Sequence, residues 1–179
     1  MNSTANLHFF YLGSEIKVIQ TFDLFLTRHK ISFKVGTLYV TSPQSANDNI
    51  KLVFEAWLKH LAKKYITART RQFSIRYGYS VGKVIIRGQK TRWGSCSARR
   101  NLSFNYKLMK YREEIIDYVI IHEMCHLKEM NHSKNFWALV NNLCPDYKAL
   151  KKELKSPPKW NTFSFFTWSY LKLEYCFYN

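Results

Sequence analysis

The stretch that decides the fold is YREEIIDYVIIHEMCHLKEMNH, residues 111–132. Two glutamates open it, where carboxylates complement a helix dipole, and apolar residues then occupy nearly every side. A helix that is apolar all round is stable only when other elements cover it, so the stretch predicts a buried central helix. Within it, His122 and His126 are four residues apart, and Glu123 follows the first of them.

The spacing of these three side chains has a mechanical reason. Residues four apart on a helix lie about one turn apart on the same face, so both imidazoles can reach one metal ion. The intervening glutamate then lies beside the reactive water of such a site. Because unpaired polar side chains are costly to bury, a shared metal gives the two histidines a partner. The pattern predicts zinc bound by His122 and His126, with Glu123 as the base.

A third ligand is needed, and His132 is the candidate. A helix continued from His126 would rotate His132 by about 600°, which leaves it about 120° off the metal-binding face. The helix must therefore end between them. Metzincins place a glycine at this turn, whereas this chain has Glu129, and Asn131 is the nearest residue that tolerates left-handed geometry.

The alternative for His132 is a surface histidine or a helix cap, with Glu129 or a downstream carboxylate completing the site. Three protein ligands would leave a fourth position open for water, which is the catalytic rather than the structural arrangement of zinc.

Charge is unevenly spread along the chain, whose formal net charge is +16. Residues 56–112 contain fifteen basic residues and no acidic one. Such a field favours polyanions, so nucleic acid and nucleotides are candidate partners of this segment. A solvated basic face is the alternative reading.

The four cysteines are scattered and form no C-x-x-C pair. In a chain of 179 residues with a sizeable core, this favours free thiols and a cytoplasmic location. No apolar run approaches the roughly 20 residues of a transmembrane helix, and the N-terminus lacks the features of a signal peptide. Cys125 is expected to face the core, because adjacent helix positions point about 100° apart. The oligomeric state does not follow from these features.

The segment before the central helix begins with strands. Short alternating apolar runs in residues 31–43 predict a β-hairpin with its turn at Gly36 and Thr37. Over residues 47–65 the apolar positions recur at three and four, which predicts an amphipathic helix capped by Asp48.

Residues 73–109 are rich in β-branched and aromatic residues, which predicts two or three strands, the last two joined at residues 97–101. Ser133 and Asp146 are predicted as N-caps of two later helices. The elements together predict an α+β fold, in which a small antiparallel or mixed sheet packs on the central metal-binding helix and further helices.

Three segments of the chain resemble the YgjP-like metallopeptidase domain, which is related to SprT-like proteins and other small zincins. They are TRWGSCSARRNLSFNYKLM (91–109), IIDYVIIHEMCHLKEMNHSKNFW (115–137) and LCPDYKALKKEL (143–154). The resemblance is specific over residues 90–154 and only general over residues 15–89. It does not cover the first dozen residues or the tail after Pro157.

The resemblance implies a zincin-like fold with zinc held by His122, His126 and His132 and with Glu123 as general base. The expected organisation is one zincin-like domain over residues 1–156. Within it lie an N-terminal hairpin region at 15–43 and a metal-binding core at 90–154, and an aromatic extension follows at 157–179.

Peptide hydrolysis is the first functional hypothesis, with a peptide or an unfolded protein as substrate. A substrate strand would lie along the edge formed by residues 93–96, where main-chain hydrogen bonds supply affinity. Trp93 is equally expected as a core anchor and Cys96 as a buried small residue, and neither is given a catalytic role.

Two other hypotheses use the basic segment. A metal-dependent phosphohydrolase would hydrolyse nucleotides, with Arg92, Arg99 and Arg100 binding the phosphates. A nucleic-acid-binding module with a structural zinc would contact phosphates through a larger basic set, which leaves Glu123 unexplained. That set is Lys59, Lys63, Lys64, Arg69, Arg71 and Arg76.

Overall fold

The computed structural model describes residues 8–43 and 49–156. Its N-terminal part is a sheet of four strands, β1 (Phe9–Tyr11), β2 (Ser14–Asp23), β3 (Lys30–Lys34) and β4 (Thr37–Pro43). The strand order is β1-β2-β4-β3. β2 and β4 are parallel, whereas the two outer pairs are antiparallel.

The predicted hairpin is confirmed, but its turn lies one residue earlier than predicted. Lys34 pairs with Thr37, so the loop consists of Val35 and Gly36. Both have positive φ, 44° and 71°, as the tight turns that match the strand twist require. The sequence pattern did not predict β1 or β2.

The first helix, α1 (Ile50–Tyr77), extends well beyond the predicted end at residue 65. Ile66, Thr70 and Phe73 continue its buried stripe, so residues 73–77 are helical rather than part of the β segment. The Asn49 side chain accepts a hydrogen bond from the Lys51 amide at 3.0 Å, which makes Asn49 the N-cap in place of the predicted Asp48.

The second sheet contains three strands, where two or three were predicted: β5 (Val84–Arg87), β6 (Gly94–Cys96) and β7 (Leu102–Asn105). Their order is β5-β7-β6, with β5 parallel and β6 antiparallel to β7. β6 and β7 are joined at residues 97–101, and a short 3-10 helix, Tyr106–Lys110, follows β7.

Three helices complete the fold: α2 (Glu113–Cys125), α3 (Lys134–Leu143) and α4 (Tyr147–Leu154). α2 packs against α1, α3, α4 and β6, which confirms it as the buried central helix. Ser133 caps α3 by accepting a hydrogen bond from the Phe136 amide at 3.2 Å, as predicted. Asp146 is at the N-cap position of α4, as predicted, but its side chain makes no capping hydrogen bond.

The two sheets belong to one hydrophobic core. The β1–β2 turn is bound to the 3-10 helix through the Leu12 amide, which donates to the Met109 carbonyl at 2.8 Å. Phe9 packs edge-on against Phe54 of α1, with ring centroids 4.6 Å apart. The N-terminal sheet therefore supports α1, and α1 in turn packs on α2.

This architecture confirms the predicted α+β class, with small mixed sheets around a central helix. Within residues 8–43 and 49–156, no helix combines the length and the apolar character needed to cross a bilayer. The aromatic extension at 157–179 lies outside the described residues.

Candidate metal centre

α2 ends at the second histidine of the motif. His122 lies in the last turn of α2, and His126 follows as its C-cap. The Leu127 and Lys128 amides then donate hydrogen bonds to the carbonyls three residues before them, both at 3.0 Å. This is the tighter 3-10 pattern, and it ends the α-helix. The predicted helix break is confirmed.

The break does not use left-handed geometry. Every residue from 126 to 132 has negative φ, so Asn131 does not take the role expected of it. Instead, Nδ1 of His126 donates a hydrogen bond to the Glu129 carbonyl at 3.0 Å. The ring of His126 thus satisfies a carbonyl of the turn that follows the helix and holds this turn without a glycine.

This hydrogen bond also fixes the chemistry of His126. A carbonyl can only accept, so the proton is on Nδ1 and Nε2 keeps its lone pair. A histidine that donates one ring nitrogen to a carbonyl and offers the other is the usual arrangement of a metal ligand.

The turn brings the third histidine to the other two. Ligand atoms of His122, His126 and His132 all lie within 4.8 Å of one another, and the Nε2 atoms of His122 and His132 are 3.1 Å apart. Tetrahedral zinc with bonds of about 2.0–2.1 Å places neighbouring ligand nitrogens about 3.3 Å apart. The donor set therefore fits zinc. Among the described residues, no carboxylate belongs to this cluster, so the alternative with Glu129 gains no support.

Aromatic rings from α3 pack against the three imidazoles. Phe136 is fully buried and stacks on His126 with centroids 4.4 Å apart, and it meets the other two rings edge-on. Trp137 stacks on His132 at 5.6 Å. These contacts restrict the orientation of the imidazoles, above all that of the solvent-exposed His132.

The surroundings favour the neutral form of His122 and His132. Burial, together with the neighbouring His126, His132 and Lys151, lowers the pKa of His122 to about 3. Burial likewise lowers the pKa of His132, with His126 and Lys151 as additional causes. Neutral imidazoles are the form that binds a metal.

Glu123 is only 6% exposed, and burial raises the pKa of its carboxyl group to about 8. Its side chain lies directly against β6. A Cβ atom on Gly94 would be 2.5 Å from Oε1 of Glu123, far inside contact distance. The glycine in WGSC is therefore required by the glutamate, a role that the sequence pattern alone did not reveal.

The neighbouring side chains mostly have the roles expected from the sequence. Cys125 is fully buried, as predicted, and Trp93 packs edge-on against Tyr111 at 5.2 Å as a core anchor. Cys96 is half-buried rather than buried. Trp137 and Lys151 were not singled out from the sequence, because their proximity to the histidines depends on the packing of α3 and α4.

Two of the predicted phosphate-binding arginines are already bound within the protein. Arg69 forms a bidentate ion pair with Asp117 of α2, with N–O distances of 2.7 and 2.5 Å. Nε of Arg100 donates to the Ser80 carbonyl at 2.9 Å. The remaining members of the two predicted sets are exposed: Lys59, Lys63, Lys64, Arg71, Arg76, Arg92 and Arg99.

The profile of the YgjP-like metallopeptidase domain matches residues 3–157. The chain belongs to the YgjP-like metallopeptidase family. The match begins nearer the N-terminus than the motifs predicted, since it includes most of the first dozen residues. No curated protein sequence matches this YgjP-like chain significantly.

Two solved structures are similar to the YgjP-like chain. The metallopeptidase zymogen of Pyrococcus abyssi abylysin is 24% identical, with a TM-score of 0.46, and the match covers 54% of this chain and 99% of that one. The metallopeptidase zymogen of Methanocaldococcus jannaschii jannalysin is 25% identical, with a TM-score of 0.42, and the match covers 50% and 95%.

Family membership confirms the predicted enzyme class. The YgjP-like chain is a metallohydrolase of the peptidase type, and a divalent metal belongs to that chemistry. The histidine cluster offers a place for such an ion.

Proposed function

We propose that the protein is a zinc-dependent peptidase that hydrolyses peptides or unfolded protein. His122, His126 and His132 hold the metal, and Glu123 is the general base. The observation that supports this most is the convergence of three imidazole nitrogens within 4.8 Å at the end of a helix that also carries a buried carboxylate.

A bound zinc ion would lower the pKa of a water molecule toward about 7 and polarise the scissile carbonyl. Glu123 takes a proton from the attacking water at a carboxylate oxygen and delivers it to the leaving amide nitrogen. A nearby dication favours the ionised carboxylate, which offsets the effect of burial on its pKa. Contact with Gly94 fixes the side chain during both transfers.

The substrate strand is proposed to lie along β6. This strand pairs with β7 on one side only and forms the edge of its sheet in the described part of the chain. Because β6 also contacts Glu123 through Gly94, a peptide added to this edge would pass beside the base. Main-chain hydrogen bonds would supply affinity with little dependence on side chains.

The decisive experiment compares wild type with Glu123→Gln, which keeps the shape of the side chain but not its basicity. The variant should bind zinc stoichiometrically by metal analysis, yet lose about 10²- to 10⁴-fold in kcat on an unfolded protein substrate. Chelation of the wild type should abolish activity, and zinc should restore it. Unchanged turnover by the variant would exclude Glu123 as the base.

The same samples test the alternatives. Hydrolysis of nucleoside triphosphates in place of protein would favour the phosphohydrolase, with Arg92 and Arg99 as the exposed candidates for phosphate contact. If neither substrate is cleaved and nucleic acid binds with a steep salt dependence, the result favours the nucleic-acid-binding module. Arg69 would take no part in that surface, because Asp117 already pairs with it.

The single domain over residues 1–156, with its hairpin region at 15–43 and its metal-binding core at 90–154, is likewise a proposal. So is a cytoplasmic location, which rests on the unpaired thiols of the three cysteines that the structure describes. Fractionation of cells that produce the tagged full chain would test the location.

A further inference from the structure

Lys151 of α4 is held beside the metal centre by an aromatic ring. Its Nζ atom lies 4.1 Å from the centroid of the Trp137 ring, which is a cation–π contact. Trp137 in turn stacks on His132 at 5.6 Å and lies 5.8 Å from the His122 ring. Tyr147, one turn earlier on α4, stacks on Trp137 at 5.3 Å and fixes the tryptophan.

The charge of Lys151 is held in place but not neutralised. Within residues 8–43 and 49–156, no carboxylate forms an ion pair with it. Glu153 of the same helix is bound to Arg112 at 2.8 Å. The Trp137 ring beneath the ammonium stacks on His132 and lies beside the His122 ring, so the charge of Lys151 is close to the metal centre. A cation here opposes metal binding and attracts anions.

The distances limit what this ammonium can reach. The two ring contacts place Nζ within about 10 Å of both imidazoles, a distance comparable to the Debye length at physiological ionic strength. An extended peptide advances about 3.3–3.6 Å per residue. The ammonium can therefore meet a group up to about three residues from a carbonyl bound at the metal centre.

We propose that Lys151, positioned by Trp137, binds a carboxylate of the substrate close to the scissile bond. The carboxylate belongs to an acidic side chain or to a free chain end. The inference rests on the proposed peptidase function and adds a substrate preference to it. Lys151 acts here as a specificity-determining residue, while zinc retention depends on the three histidines.

The test uses the full-length zinc-loaded protein and matched blocked peptides. In one series, Glu or Gln occupies each of the three positions on either side of the cleaved bond. In a second series, the C-terminus is free or amidated. Wild type should favour the carboxylate member by about fivefold in kcat/KM, the effect of a partly exposed charge pair. Lys151→Met should abolish the preference, and Lys151→Glu should reverse it.

The neighbouring, exposed Lys152 provides a matched control. Lys152→Met should keep the wild-type preference and its zinc content. The series that shows the preference identifies the source: a Glu position assigns the side chain, and the free C-terminus assigns the chain end. An unchanged preference in Lys151→Met overturns the proposal. So does a loss of kcat/KM in this variant that is equal for the two peptides of a pair.

A binding measurement separates this proposal from the proposed function. Fluorescence anisotropy of the same labelled peptides is measured with Glu123→Gln and with Glu123→Gln/Lys151→Met. Tighter binding of the carboxylate peptide that depends on Lys151 supports the proposal even if wild type cleaves neither peptide, an outcome that would refute only the peptidase. Equal binding of both peptides to Glu123→Gln overturns it.

Discussion

The N-terminal sheet, residues 8–43, and the metal centre at the end of α2 are built from different kinds of contact. The sheet is held to the rest by aromatic packing, with Tyr11, Phe33 and Trp57 forming a cluster of rings 5.1 to 5.5 Å apart. The metal centre instead collects polar groups in apolar surroundings, so that the pKa values of His122 and Glu123 are strongly shifted.

The difference separates stability from chemistry. Packing contacts are numerous and individually replaceable, and hydrophobic side chains of similar size can substitute for one another. Each polar side chain of the centre is held in one orientation, either by the turn after α2, by contact with Gly94 or by an aromatic ring of α3. A change in the sheet should therefore alter the free energy of unfolding, whereas a change at the centre should alter metal binding or hydrolysis.

The largest effect is expected for His132→Ala. Loss of one of three ligands should weaken zinc binding by more than the 10- to 100-fold typical of an outer-shell partner. Because His132 is exposed, the free energy of unfolding of the metal-free protein should change by only about 0.5 kcal/mol. Competition with a chromogenic chelator and urea titration measure the two quantities. Full zinc retention would place the third ligand elsewhere.

The converse change is Trp57→Ala in the aromatic cluster. Trp57 is 5% exposed, and removal of a buried tryptophan costs about 3–5 kcal/mol. The folded fraction should nevertheless bind one zinc with wild-type affinity, since no contact of Trp57 reaches the histidines. Urea titration and zinc titration at low temperature provide the test. A matching fall in the intrinsic zinc affinity would break the proposed separation.

A pair of glycine substitutions sharpens the same comparison. Gly94→Ala places a methyl group on the Glu123 side chain, and a displacement of about 1 Å at a catalytic group costs about 10²-fold in rate. Zinc should remain bound. Gly36→Ala in the hairpin turn meets no atom within 4 Å and suffers only the strain of its positive φ, about 1 kcal/mol. It should lower stability and leave kcat unchanged, as peptidase assays and urea titration would show.

The smallest effect is a pH dependence of the metal-free protein. The pKa of Glu123 rises from 4.5 to about 8 on folding, so the folded state binds more protons and loses stability as the pH rises across this window. For His122 the pKa falls from 6.5 to about 3, so stability is lost as the pH falls below 6.5. Of these two groups, only Glu123 therefore changes the stability between pH 6.5 and 8, and it lowers the stability as the pH rises.

Thermal unfolding at pH 6.5 and 8 tests this expectation. The midpoint of the metal-free wild type should fall at the higher pH, and that of Glu123→Gln should fall less. Trp57→Ala should lower both midpoints by the same amount, because it removes no titrating group. A wild-type midpoint that rises with pH would contradict the shift assigned to Glu123.

Much of the fold follows from local pattern. The hairpin at residues 31–43, the central helix and the strands β6 and β7 have periods and turn residues that identify them. The predicted end of α1 was twelve residues too early. The β-branched and aromatic residues at the C-terminal end of this helix fit a strand as well as a buried helical stripe. β1 and β2 were not predicted. The parallel pairing of β2 with β4 joins Lys17 to Thr37, and a partner so distant in sequence leaves no local pattern.

For the metal centre, the sequence by itself determined the helical pair, because four-residue spacing on a helix fixes which side chains share a face. It also identified the glutamate between them. Only the tertiary structure decided how His132 reaches that face, since the turn is closed by a hydrogen bond from the His126 ring to the Glu129 carbonyl. The contact of Gly94 with Glu123 and the place of Lys151 over Trp137 were likewise decided by packing between elements distant in sequence.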